Sequence, residues 1–143
     1  MGKRRRAREV ALSILYQLEF RPEKSEEVMD AFWANRRSAP EVETYARELV
    51  EGILAHREEI DNLIARYTEH WHFSRIALVE RNILRVATYE FIFRKEVPEK
   101  VVLNEAIEIA KQYGSEDSGR FVNGILDKIR TITRPPLLEP AER

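Results

Sequence analysis

Apolar residues recur at steps of three and four positions through every long segment of this 143-residue chain. That spacing places them on one side of an α-helix, whereas a half-buried strand would alternate apolar and polar residues. No segment shows a convincing alternation, and no hairpin-type turn separates two apolar runs. The chain is therefore predicted to be all-α, with a core built from the apolar sides of about seven helices.

Proline and polar residues divide this pattern into segments of helical length. The first helix is expected to end near Leu18, because Arg21-Pro22 follows it, and Pro40 suits the first turn of the third helix. That pattern continues past His56, where a bend is expected. Other predicted boundaries are a second helix from Ser25 to Trp33, a helix opened by Val97-Pro98 whose inner stripe ends at Tyr113, and a stop at Arg134-Pro135-Pro136.

One predicted helix, from about Arg75 to Phe93 with Ser74 as its N-cap, is apolar over most of its circumference. Such a helix usually lies at the centre of a bundle. Glu80 and Glu90 fall among its apolar residues, where an unpaired carboxylate would be costly to bury. Two interpretations stay open: a carboxylate that docks a partner protein, or internal ion pairs with Arg81, Arg85 or Arg94.

The segment 114–124 combines a helix start, acidic groups, a cation, an aromatic ring and glycines. Gly114 is predicted as the C′ residue of one helix and Ser115 as the N-cap of the next. Because glycine inside a helix costs up to about 1 kcal/mol relative to alanine, Gly124 indicates either close helix packing or the close approach of a ligand. Phe121 is either a core residue or a platform for an unstacked RNA base.

Positive charge is gathered at the amino terminus. Five of the 24 basic residues lie within the first eight positions, although the formal net charge of the chain is −1. Cations at the start of a helix oppose its dipole, so their accumulation there suggests a polyanionic ligand. Nucleic acid is the first candidate, and a solvated basic helix face is the alternative.

Catalytic and metal-binding motifs are missing from the sequence. There is no glycine-rich phosphate loop, no Gly-x-Ser-x-Gly, no His-Glu-x-x-His and no cysteine. His70 and His72 are poorly spaced as metal ligands, so we interpret them as part of an aromatic packing unit with Trp71 and Phe73. No apolar run approaches the roughly 20 residues of a membrane span. We expect a soluble, cytoplasmic protein that is not an enzyme and needs no cofactor.

Four blocks of residues follow one another along nearly the whole chain. They are Arg4-Arg5-Arg6-Ala7-Arg8-Glu9, Glu80-Arg81 with Ile83-Leu84-Arg85, Pro98 to Val102 with Asn104-Glu105-Ala106, and Glu116-Asp117-Ser118 with Phe121-Val122-Asn123-Gly124-Ile125-Leu126-Asp127. Together they resemble the NusB family of bacterial transcription antitermination factors. The resemblance implies a single domain over 1–134, with two three-helix lobes, about 1–70 and 71–134, around a long central helix. Residues 135–143 would form a flexible tail.

The resemblance also implies a function. Family members bind the boxA element of ribosomal RNA leaders as single-stranded RNA together with ribosomal protein S10 (NusE). With other Nus factors they help RNA polymerase to resist termination. The residues expected to contact RNA are Lys3, Arg4, Arg5, Arg6, Arg8, Tyr67, Arg85, Asp117, Arg120 and Phe121. Phe121 would stack on a base and Asp117 would hydrogen-bond a base edge, while the cations contact phosphates. Tyr16 and Glu80 would face S10.

Two alternatives remain at this point. The same domain occurs as the N-terminal part of a ribosomal RNA cytosine methyltransferase, but this sequence carries no glycine-rich cofactor site and no catalytic cysteine. The other alternative is a self-associating helical protein, a homodimer for example, in which the arginines only increase solubility.

Overall fold

The computed structural model describes residues 2–34, 38–68 and 76–135. These ranges hold seven α-helices, one short 3-10 helix at Pro22–Lys24, and no strand, so the predicted all-α fold is confirmed. The helices are α1 (Lys3–Leu18), α2 (Ser25–Ala34), α3 (Pro40–Ala55), α4 (Arg57–Arg66), α5 (Leu78–Phe93), α6 (Glu99–Tyr113) and α7 (Ser118–Thr133).

Helix α5 lies at the centre of the bundle. It contacts α1, α3, α4, α6 and α7, and every residue from 82 to 91 is buried. It has sixteen residues, as do α1, α3 and α7, so its central position rather than its length sets it apart. Fully buried side chains such as Leu84 and Phe91 each stabilise the fold by about 1.5–3 kcal/mol.

The other helices pack around α5 by their apolar stripes. Helix α1 lies against α2, α3 and α5, and α6 and α7 pack against each other and against α5. The buried stripe of α1 consists of Ala7, Val10, Ala11, Ile14, Leu15 and Leu18, as its spacing predicts, with Leu12 and Arg8 also buried. The predicted bend is present at His56, which separates α3 from α4.

Two predicted caps at the junction of α6 and α7 are different in the structure. Helix α7 begins at Ser118 with Asp117 in the N-cap position, so Ser115 is not its cap. Gly114 does follow α6, but its φ of −102° is not left-handed. Its lack of a side chain is needed for another reason, because a Cβ there would collide with the Ser118 side chain and approach the Ala110 carbonyl.

Arg134 closes the C-terminal end of the central helix. Its guanidinium donates hydrogen bonds to the carbonyl oxygens of Glu90, Phe91, Arg94 and Val97 over 2.6–3.1 Å. The end of a helix leaves such carbonyls without partners inside the helix, and a cation there also favours the helix dipole. One side chain beyond the end of α7 therefore ties α7 to α5 and to the loop before α6.

Some sequence predictions lie outside the described residues. These are the Ser74 cap, the aromatic unit at 70–73, the lobe boundary near 70 and positions 136–143 of the tail. The central helix begins at Leu78, three residues later than predicted. None of the helices in the described ranges is both long and apolar enough to cross a membrane.

Candidate nucleic-acid interface

Arg8 is the most enclosed of the five N-terminal cations. Its side chain is 4% exposed, and its Nε donates to both carboxylate oxygens of Glu90 at 3.0 Å. The hydroxyl of Tyr45 also donates to Glu90. Burial and the negative charge of Glu90 raise the pKa of Tyr45, so that ring stays neutral. The expectation that Arg8 contacts RNA phosphate disagrees with this burial, because its charge is already neutralised inside the bundle.

Arg5 is held in a second ion pair, nearer the surface. It makes a bidentate contact with Glu105 of α6, in which Nη2 lies 2.9 Å from Oε2. Both side chains remain about one-fifth exposed. The hydrogen bond from Arg5 lowers the pKa of Glu105, which keeps the carboxylate ionised. The charge of Arg5 is therefore compensated within the protein, although solvent reaches the pair.

Lys3, Arg4 and Arg6 differ from both, because all three are exposed. Lys3 pairs with Glu41 at 3.3 Å, and Arg6 lies 3.7 Å from Glu9. The guanidinium carbon of Arg4 lies 3.9 Å from the centre of the Tyr45 ring. Exposed pairs of this kind are worth little, so a phosphate can compete for these cations.

The first turn of α7 presents a small exposed cluster of different character. Asp117 and Arg120 are each 84% exposed, and Arg120 Nη2 donates to Asp117 Oδ1 at 3.4 Å. Phe121 follows Arg120 and is partly buried, with one part packed against the core. It is therefore anchored in the core and partly exposed next to Arg120, so both interpretations of the ring stay open.

Tyr113, the last residue of α6, is exposed, although its helical spacing predicted a place in the inner stripe of that helix. The ring is 46% exposed. It lines a groove with Arg6, Glu9, Ser13, Tyr16 and Val79 that encloses about 280 Å³. Burial of the hydroxyl, followed by the carboxylate of Glu9, raises the pKa of Tyr113. Its place as the last residue of α6, where the stripe ends, is the one sequence signal that could have indicated exposure.

Tyr16 and Glu80 are the residues expected to face S10. Tyr16 lines this groove, and Glu80 follows the groove residue Val79 in sequence. Tyr16 is exposed and packs edge-on against Phe20, which is 65% exposed. Glu80 is half-buried and accepts a hydrogen bond of 2.5 Å from the hydroxyl of Ser118, the first residue of α7. Val79, next to Glu80, shares the groove with Tyr16.

The two carboxylates of the central helix therefore have different partners from those proposed from the sequence. Glu90 forms an internal ion pair, but with Arg8 of α1 rather than with Arg81, Arg85 or Arg94. Glu80 bonds to a hydroxyl of α7.

Arg85 is a structural hub rather than a surface cation. Its side chain is 3% exposed and donates to Asp61 of α4 at 2.8 and 3.0 Å. It also donates to Glu19, the residue that follows α1, at 2.7 Å and to Asn82 at 2.8 Å. The expected contact with RNA disagrees with this burial. Tyr67 lies at the C-terminal end of α4 and is half-buried against the core. Across the described ranges, no group of three His, Asp or Glu side chains could hold a metal ion.

Comparison with known proteins identifies the family. The NusB family model matches residues 5–131. The transcription antitermination protein NusB of Desulfitobacterium hafniense (strain DSM 10664 / DCB-2) is 51% identical over 129 residues, covering 88% of this chain and 86% of that protein. Its counterpart in Myxococcus xanthus is 42% identical over 141 residues, covering 95% of this chain and 100% of that protein.

Solved structures agree in fold. The structure of T. maritima NusB superposes with a TM-score of 0.79 at 42% identity, covering 92% of each chain. A chain from the crystal structure of antitermination factors NusB and NusE in complex with dsRNA superposes with a TM-score of 0.75 at 33% identity, covering 92% of this chain and 98% of that one. The chain therefore belongs to the NusB family.

Proposed function

We propose that this protein is a cytoplasmic transcription antitermination factor that binds boxA RNA as a single strand together with ribosomal protein S10 (NusE). It would act by binding alone, without catalysis, and with other Nus factors help RNA polymerase to resist termination. Support comes from its relatives, which are transcription antitermination proteins. A similar chain occurs in a complex of NusB, NusE and dsRNA. Identities of 51% and 42% to transcription antitermination proteins favour this function over that of a methyltransferase module.

The observation that carries the RNA proposal is the exposed cluster at the first turn of α7. Asp117 and Arg120 are almost fully exposed beside the partly exposed ring of Phe121. In the proposed complex Phe121 stacks on a base, Asp117 accepts a hydrogen bond from a base edge, and Arg120 contacts a phosphate. Phosphate contacts fix the position of the RNA, whereas base contacts select its sequence.

The second part of the proposed RNA surface is the exposed part of α1. Lys3, Arg4 and Arg6 supply phosphate contacts, and Arg5 contributes less because Glu105 already compensates it. We leave Arg8 and Arg85 out of this surface because they are buried, and keep Tyr67 as a weaker candidate. Tyr113 joins the two parts. It borders the groove that holds Arg6, and only three residues separate it from Asp117.

A partner at Tyr16 and Glu80 would lie next to this RNA surface. The hydroxyl of Ser118 donates to Glu80, and Ser118 stands between Asp117 and Arg120 in sequence. A protein that covers Glu80 would fix the first turn of α7 in the conformation that presents the cluster. RNA would then bind to a turn that is already ordered and would lose less conformational entropy. This is positive coupling between the two ligands.

A titration of labelled boxA RNA tests the proposed function. Affinity should rise when S10 is added, exceed that for a scrambled strand or a duplex of equal length, and fall with salt. The double logarithmic slope against salt should be about −0.7 for each phosphate contact on a single strand. An S10 preparation that neither changes the affinity nor co-elutes with the protein on gel filtration would overturn the cooperative proposal. Preference for the duplex would overturn the single-stranded one.

A further inference from the structure

Gly124 occupies a position in α7 that no packing contact explains. It lies in the second turn of the helix, it is exposed, and a Cβ built on it would meet nothing within 4 Å. Its φ is not positive, so its backbone suits any residue. By contrast, a Cβ at Gly52 would collide with the Tyr89 ring, and one at Gly119 would lie 3.2 Å from Lys111. Close helix packing, one of the two explanations for Gly124, is therefore excluded within the described residues.

Glycine at such a position weakens the helix relative to alanine, because it loses more backbone entropy on folding. The fold would tolerate alanine and gain stability from it. Packing within the described residues does not offset this cost, and a ligand that approaches this side of α7 from outside would.

The position of Gly124 on the helix indicates which ligand could approach it. Asp117, Arg120 and Gly124 stand at spacings of three and four residues, which places them on one side of α7. Side chains in a helix lean toward its N-terminus, so each covers the turn that precedes its own Cα. A side chain at 124 would therefore cover the turn that carries Arg120 and Phe121. Glycine leaves that turn open.

We propose that Gly124 is an RNA-contact position. The missing side chain lets a nucleotide lie directly against the α7 backbone, with its base on the exposed part of Phe121 and its phosphate near Arg120. This inference rests on the proposed function, because it assumes that a base stacks on Phe121. It adds a specificity-determining position whose effect is steric: the size of the residue at 124 sets how closely a nucleotide can approach.

Two substitutions at this position give a graded test. Gly124→Ala adds one methyl group, and Gly124→Gln adds a long side chain that favours helix and carries no charge. Thr131→Gln is the matched control. It lies on the same side of α7, seven residues further on, and is exposed, but its side chain would cover a turn beyond the proposed contact.

The measurements are the affinity for labelled boxA RNA, with and without S10, and the melting temperature. We expect melting temperatures equal to or above that of the parent for both Gly124 variants. Affinity for RNA should fall a few-fold for Gly124→Ala and about tenfold or more for Gly124→Gln, as a base loses its stacking contact. Thr131→Gln should bind like the parent.

The outcomes separate this inference from the proposed function. A parent protein that does not bind boxA RNA would overturn the proposed function itself. If the parent binds RNA and Phe121→Ala weakens binding, but Gly124→Gln binds like the parent, only the role of Gly124 is overturned. A lower melting temperature in both variants would assign Gly124 to the fold. Weakened S10 binding without RNA would assign it to a protein interface.

Discussion

The two regions proposed to contact RNA are built in opposite ways. Helix α1 begins with five cations, yet Arg8 is buried against Glu90 and Arg5 is paired with Glu105. The first turn of α7 has one cation, Arg120, and it is 84% exposed. A basic segment can therefore carry more cations than it offers to a phosphate. In α1 some of the charge positions the helix, and the remainder faces solvent.

The anchors of the two regions differ as well. Arg8 joins α1 to α5 through Glu90 and lies 3.5 Å from Glu105 of α6. A buried ion pair adds little net stability, but it is very costly to break on one side only. The first turn of α7 is held by hydrogen bonds of a hydroxyl rather than by an ion pair. The Ser118 hydroxyl accepts from the Ser115 amide and donates to Glu80. We therefore expect the largest stability effects in α1 and the largest effects on base recognition in α7.

The largest predicted effect is on stability, at Arg8. Arg8→Met should lower the free energy of unfolding by about 3–5 kcal/mol, because the Glu90 carboxylate is left buried without its cation. Urea unfolding followed by circular dichroism measures the change. Arg6→Met, two residues earlier in α1 and exposed, should leave stability nearly unchanged and weaken RNA binding instead. If Arg8→Met kept the stability of the parent and lost RNA affinity, the distinction between the two arginines would fail.

The second prediction concerns the base contact in α7. Phe121→Ala should weaken boxA RNA binding by about 1–3 kcal/mol, the usual value of one base stacked on an aromatic ring. The helical circular dichroism spectrum should be retained, since Phe121 is only partly buried. Phe121→Tyr, which keeps an aromatic ring, serves as the control and should bind nearly as well as the parent. Loss of the spectrum in Phe121→Ala would assign the ring to the core alone.

Most of the fold could be predicted because its signals are local. Pro40 opens α3 and His56 separates α3 from α4, as their positions in the apolar pattern indicate. The sequence predicts the N-cap of α7 at Ser115, whereas the structure has it two residues later, at Asp117. Ser118 begins the helix, and its hydroxyl is bonded to Glu80, 38 residues earlier in the chain. A contact between residues so far apart in sequence cannot be predicted from the residues around the helix start.

The candidate site could be predicted only in part, for a related reason. The sequence shows which residues can bind a phosphate, but not which of them the fold neutralises. Arg8 and Glu90 are 82 residues apart, and Arg5 and Glu105 are 100 residues apart. Helical spacing likewise could not show that Tyr113 is exposed. Tyr113 continues the apolar stripe of α6, but it is the last residue of the helix and other helices no longer bury it there.

The third prediction tests whether the exposed cation of α7 contacts phosphate. Arg120→Ala should weaken RNA binding a few-fold for every sequence, and reduce the salt slope by about 0.7, as the loss of one phosphate contact requires. Stability should not change, because the Asp117 pair is fully solvated. Lys128→Ala, two turns further along α7 and also exposed, is the control. Equal effects from both substitutions would mean that α7 attracts RNA only by its general charge.

The smallest predicted effect, at Glu105, tests whether an arginine that the fold neutralises can bind phosphate once its partner is removed. Glu105→Gln removes the carboxylate that compensates Arg5, so Arg5 becomes available to a phosphate. Affinity for scrambled RNA should rise about twofold to threefold, and the salt slope should become steeper by at most about 0.7. The sequence preference for boxA should fall, because phosphate contacts strengthen binding to every sequence.

Arg5→Ala tests whether Arg5 causes the increase in RNA affinity predicted for Glu105→Gln. In an Arg5→Ala background, Glu105→Gln should no longer change RNA affinity, because the cation that it releases is absent. An increase that persists there would come from the general loss of a negative charge near α1, and Glu41→Gln should then reproduce it, since Glu41 is an exposed carboxylate paired with Lys3. A decrease in either background would mean instead that Glu105 positions α1 for RNA binding. Only an increase that depends on Arg5 supports the conclusion that pairing within the fold, rather than the count of arginines, sets the phosphate affinity of α1.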